Sequence, residues 1–151
     1  MGENIAVLLL FTVLLVLGII FYVQYQRGAL RDELREQRLK DAIQISQRIA
    51  YLPEVQCSED AIQKENCYDG VKIEKATPIL KANKNYYYGI LGYSKVEIEL
   101  LYPPSDAKTI LFYDNKKPGT VSEEMVQAPI AVYLPNEDRY VFAVLKVVAY
   151  G

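Results

Sequence analysis

The chain has 151 residues, a formal net charge of −2, two cysteines and no histidine. No cluster of Lys and Arg stands unopposed by Asp and Glu, which argues against a nucleic-acid partner, and the missing histidine removes the commonest general base and metal ligand. Thirteen Tyr and no Trp supply rings that are apolar on their faces and polar at their tips, a composition suited to a half-exposed sheet or a subunit contact.

The first element is an uncharged apolar run from Ile5 to Val23, 19 residues long, enough to cross the hydrocarbon core of a bilayer as a helix. An amphipathic helix of a soluble domain keeps one polar face, whereas this run is apolar on every side, as a helix in lipid or in a filament core must be. A secretory signal peptide has a basic start, a shorter apolar stretch and a small-x-small cleavage site. Here Met1, Gly2, Glu3 and Asn4 carry no Lys or Arg, and the run is followed by Gln24, Tyr25, Gln26 and Arg27. A retained helix is therefore expected. Subtracting it leaves chain for one modest domain, so residues 1–26 are read as a transmembrane or filament-core helix and residues 27–151 as its amphipathic continuation and a head.

Beyond the run, Leu30, Leu34, Leu39, Ala42, Ile43, Ser46, Ile49 and Ala50 recur at mostly three- and four-residue steps, one apolar stripe on a helix that Pro53 ends. With the first run this predicts a single rod over about residues 4–52, roughly 70 Å at 1.5 Å per residue. Asp32 with Arg35 and Glu36 with Lys40 are favourable helix neighbours, Arg31 with Arg35 a repulsive pair. Residues 53–85, with Pro53, the cysteines, Asp69, Gly70 and Pro78, read as loop, with room for a short helix over residues 58–65 capped by Ser58.

Cys57 and Cys67 enclose nine residues. Without His or further Cys they cannot complete a zinc site. They favour a disulfide in an oxidising, extracytoplasmic compartment, the other reading being two reduced thiols in a cytosolic domain. Topology pulls against this: Arg27, Arg31, Arg35, Arg38 and Lys40 follow the apolar run with no basic residue before it, which by the positive-inside rule puts the head in the cytoplasm.

From Tyr86 the pattern becomes that of strands. Val96, Ile98 and Leu100 alternate with Glu97 and Glu99, one face buried and one wet, as in an antiparallel sheet. Residues 109–113, 130–134 and 140–150 read as further strands, the last with Val141, Ala143, Leu145, Val147 and Ala149 on one face. Pro135, Asn136, Glu137 and Asp138 form the turn between the last two. Residues 86–91 read as one more strand, interrupted by Gly89. The fold class expected is α+β, a long N-terminal helix with an apolar first half packed on a small antiparallel β-sheet head.

No catalytic constellation, cofactor motif or metal-ligand pattern is expected. Ser46, Ser58, Ser94, Ser105 and Ser122 sit in no nucleophile motif. Glu97 and Glu99 read as a solvated sheet face rather than a catalytic carboxylate pair. Asp114 and Asn115 lack the run of oxygen ligands of a calcium loop, and no Asn-x-Ser/Thr sequon occurs.

Gly2-Glu3-Asn4-Ile5 at the head of an apolar run, a helix that turns amphipathic, a cysteine loop and a sheet together resemble a type IV pilin or an archaeal pilin-like protein. The resemblance implies processing after Gly2, with Glu3 the first mature residue; where family members carry an acid at the fifth mature position this chain has Val7. It implies a structural, non-enzymatic subunit of a cell-surface filament, a homo-oligomer that is membrane-anchored before assembly, with Glu3, Ile5, Leu9, Thr12 and Val16 as the assembly residues. The alternative is a single-pass anchored extracytoplasmic protein whose head binds a partner.

Overall fold

The computed structural model describes residues 2–59, 62–104, 107–120 and 122–151. Helix α1 runs over Gly2–Ala50, and the chain divides into two compact units, Met1–Gln37 and Arg38–Gly151. In the first unit the side chains described from Ile5 to Gln37 are all exposed.

The second unit contains the end of α1, strands β1 (Gln56–Glu59) and β2 (Ile62–Asp69), helices α2 (Gly70–Ala82) and α3 (Lys84–Leu91), and strands β3 (Ser94–Tyr102), β4 (Lys108–Asp114), β5 (Glu123–Leu134) and β6 (Arg139–Tyr150). The strands form one six-stranded sheet in the order β1-β2-β5-β6-β3-β4. The chain is α+β as expected. The sheet is mixed rather than purely antiparallel, because β2 runs parallel to β5, at Tyr68–Val132 and Asp69–Tyr133. The β5–β6 hairpin is paired along its whole length, from Glu123–Tyr150 to Leu134–Arg139, across the turn that Pro135 to Asp138 predict; Asp138 there takes a left-handed backbone with φ 49°.

Alternation decides which sheet face is buried. Val96, Ile98 and Leu100 of β3 and Val141, Ala143, Leu145, Val147 and Ala149 of β6 join one core with Phe112, Tyr113, Val132, α1 residues Ala42, Ile45 and Ile49, α2 residues Ile73, Ala76 and Leu80, and Tyr87 and Leu91 of α3. Each large apolar side chain removed from water there contributes about 1.5–3 kcal/mol. Opposite them Glu97 pairs with Lys95 at 2.8 Å and Glu99 with Lys146 at 2.6 Å, so these glutamates belong to the ion pairs of the outer face.

Four expectations are corrected. The α1 stripe is Ala42, Ile45 and Ile49, while Ile43 is exposed; a three-four step through Ile45 closes the face that a path through Ile43 would open. Beyond the turn at residues 53–55, the described part of residues 53–85 is mostly regular structure. It contains β1, β2 and α2, whose helical signal Pro78 obscures: proline costs α2 one backbone hydrogen bond, yet burial of Ile73, Ala76 and Leu80 on one face and a capped start hold it. Asp69, read as part of a turn, is the cap, its Oδ1 accepting from the backbone N–H groups of Val71 at 2.9 Å and Lys72 at 3.0 Å. Gly70 follows because a Cβ there would stand 2.7 Å from Leu134 Cδ2. The helix proposed over residues 58–65 is replaced by the β1–β2 hairpin, with Ser58 opposite Gln63 and Glu59 opposite Ile62. Residues 86–91 are helical, not a strand: the β-propensity of three tyrosines yields to the burial of Tyr87 and Leu91, four residues apart on one helix face.

Tyr87 fastens α3 to the segment after α1, its Oη donating to Glu54 Oε1 at 2.7 Å. Burial first, then the Glu54 hydrogen bond and charge, push its phenol from 10.0 up to about 12. An acid raised on folding stabilises the native state fully below its unfolded pKa, and that contribution is lost as the pH climbs through the folded one. Tyr87→Phe is expected to cost about 1 kcal/mol at neutral pH. In urea melts the gap between variant and wild type should close between pH 10.0 and about 12; a gap independent of pH would mean that the Tyr87 proton is not linked to folding.

Candidate functional site

The candidate site is the apolar part of α1. Ile5 is 66% exposed, Leu9 60%, Phe11 63%, Val16 56% and Phe21 70%. Since about 100° separates successive residues of a helix, these positions lie around the axis rather than on one side of it. Ile5, Leu9, Thr12 and Val16, singled out from the sequence, are all in this exposed surface. The helix is long and apolar enough to cross a membrane, with a mean hydropathy of 2.7 in its most apolar window. The side chains of Gly2 and Glu3 lie outside the described residues.

Polar groups along this surface are satisfied locally. The Thr12 hydroxyl donates to the Leu9 carbonyl at 2.8 Å, the back-bond that lets a hydroxyl sit among hydrocarbon without an orphan donor. Tyr22, 61% exposed, accepts a hydrogen bond on its Oη from Gln26 Nε2 at 2.6 Å. With Tyr25 and Arg27 these residues make the abrupt change from apolar to polar found where a helix leaves hydrocarbon.

In the second unit the cysteines are joined as a disulfide, with a Cα–Cα distance of 5.3 Å. It ties β1 to β2 where the register shifts between Gln56 and Ser58, and both cysteines are buried. Lys72 braces the same edge from α2, its Nζ donating to the Gln56 carbonyl at 2.8 Å and the Ser58 hydroxyl at 2.9 Å. Sequence reasoning missed Lys72 because its partners are assembled by a hairpin whose polar strands carry no alternation, and Asp69 because the helix that it caps is obscured by Pro78.

The concavities of this unit carry little reactive chemistry. One of about 410 Å³ is walled by Ile73, Leu100, Ile110, Val132 and Leu134, with Glu74 and Lys108 on its lining and paired to each other. Another of about 420 Å³ lies over the disulfide between Tyr133 and Tyr140, whose rings are 5.1 Å apart. Ser46 Oγ donates to the Ile43 carbonyl at 2.7 Å and Ser58 Oγ accepts from Lys72, both structural roles; Ser105 lies outside the described residues. Among the described residues no group of three His, Cys, Asp or Glu could hold a metal ion.

Comparison with known protein families, with curated proteins and with solved structures found no match. What the chain has of the pilin plan is a long N-terminal apolar helix and a sheet, features compatible with membrane anchoring and with filament polymerisation.

Native protein is expected to take up an alkylating reagent at Cys57 and Cys67 only after reduction, read by intact mass. Changing both cysteines to serine should lower stability by about 2–4 kcal/mol, measured by urea melts, since a short loop is released in the unfolded chain.

Proposed function

We propose that this protein is the structural subunit of an extracellular pilus-like filament, held in the membrane by α1 before assembly and polymerising through it afterwards. One observation carries the reading: an apolar helix whose described side chains from Ile5 to Gln37 are all exposed. Burying apolar surface contributes roughly 25 cal/mol per Å². Lipid and neighbouring copies of the same helix are interchangeable covers for it, and subunits can pass from one to the other. A non-enzymatic role is supported by a sequence without histidine and by the engagement of Ser46 and Ser58 in structural hydrogen bonds.

The disulfide supports placing the head outside the cytoplasm, where such bonds persist. The competing reading, a single-pass anchor whose head binds a partner, draws on the interfacial residues Tyr22, Tyr25 and Arg27, which suit a helix that stays in the bilayer.

Electron microscopy and sedimentation of the purified native protein separate the two: helical polymers are expected for the filament, and membrane-bound monomers would overturn it. Removing residues 1–26 should give a soluble monomer with the far-ultraviolet spectrum of a folded head; a truncated chain that still polymerises would place assembly elsewhere. Glu3, the one charged residue before Arg27, is expected to meet a neighbouring chain's terminal ammonium when the helices bundle, because an unpaired buried carboxylate is strongly disfavoured. Glu3→Ala should therefore weaken polymerisation while leaving membrane insertion intact. Unaltered filaments from the variant would remove Glu3 from the assembly mechanism.

A further inference from the structure

Just beyond the apolar run, α1 carries its charges in two opposed sets. At about 100° per residue, Arg27, Arg31 and Arg35 fall within an arc of about 80°, and Asp32, Glu33 and Glu36 within an arc of about 100° centred roughly 150° away. Leu30 and Leu34 lie next to the arginine arc, between it and Glu33, and are 58% and 52% exposed. Every side chain from Gln24 to Gln37 is exposed. Beside the favourable spacings Asp32 to Arg35 and Glu36 to Lys40, the repulsive spacings Arg27 to Arg31 and Arg31 to Arg35 recur along one side, a local cost that a facing acidic surface would offset.

We propose that residues 27–36 of α1 form a heterologous contact between copies of this chain, the arginine side of one helix lying against the acidic side of the next, with Leu30 and Leu34 in the seam. The inference rests on the filament reading and specifies its partner. Helices whose apolar runs pack at 8–10 Å carry their following turns side by side at nearly the same distance. Those turns must then be complementary or repel. The two charge sets are centred within about 4 Å of each other along the axis at 1.5 Å per residue, so neighbours pointing the same way bring them together with a small stagger. Because the two sides differ, each contact leaves an arginine side and an acidic side open for further copies. That is the arrangement that extends into a filament rather than closing as a two-fold dimer. Leucines flanked by opposite charges on their two sides also form the seam by which parallel helices choose partner and orientation.

The test uses the full chain in two variants, Arg27→Glu with Arg31→Glu, and Asp32→Arg with Glu33→Arg. The first has acid on both sides of the helix and the second has base on both. Each alone should lose about tenfold or more of its sedimentable polymer, the effect of a few ion pairs turned repulsive. An equimolar mixture of the two should polymerise again, and added salt should weaken the wild-type polymer. Restoration by mixing cannot arise from misfolded subunits.

Either variant polymerising alone as the wild type does, or a mixture that stays unassembled beside a polymerising wild type, would overturn the proposal and leave the filament reading standing. A wild type that forms no polymer would overturn the filament reading and this contact with it. If the arginine variant polymerises normally but no longer binds vesicles containing phosphatidylglycerol, the arginine side serves anionic lipid headgroups and the helix contact is wrong.

Discussion

The constraint on which the rest of the first unit depends is that water cannot be the neighbour of α1 over residues 5–23. An apolar helix satisfies its own backbone groups and so tolerates hydrocarbon, but in water it exposes apolar surface on every side. The details of the run follow from that. Its charges stop at Glu3 and resume at Arg27, the Thr12 hydroxyl turns back onto the Leu9 carbonyl, and tyrosines gather where the polar residues begin. The helix thus carries apolar surface that the described residues leave uncovered.

The second unit solves a different problem, that of making a stable fold from little more than a hundred residues. The fully paired β5–β6 hairpin and β3 place their alternating apolar residues on one face, and α1, α2 and α3 contribute theirs to the same core. The edge formed by β1 and β2 has short, polar strands with little apolar surface to bury. There the fold relies on covalent and polar ties: the Cys57–Cys67 bridge, the Lys72 bonds to Gln56 and Ser58, and the Asp69 cap. Strands that cannot pay their ordering entropy by hydrophobic burial are those that benefit most from a crosslink.

Legibility in the sequence tracks how local each signal is. The apolar run, the alternation in β3 and β6, the final hairpin turn and the disulfide depend on neighbouring residues or on a two-member pairing, and each was readable. The middle of the chain was not. Pro78 inside α2, three consecutive tyrosines in α3 and the unpatterned β1–β2 hairpin each have a local propensity that tertiary contacts override. Ile73, Leu80, Tyr87 and Leu91 become core residues because the sheet is there to receive them. The parallel pairing of β2 with β5 joins segments more than sixty residues apart and leaves no trace at either one. For the candidate site the apolar helix was wholly legible; Lys72 was visible only once Gln56 and Ser58 were in place, and Asp69 only once α2 was recognised as the helix that it caps.

The brevity of the β2–β5 ladder has a consequence of its own. With pairing confined to Val132 and Tyr133 of β5, residues 123–131 have no strand neighbour on that side among the described residues, and their main-chain groups form an open margin. Such a margin is a hazard, because any extended chain can add to it. Pro129 lacks the N–H that an added strand would need, and Glu123 and Glu124 put charge at the start of the strand. Proline and like charges at such positions are the residues that disfavour strand addition to an open sheet margin.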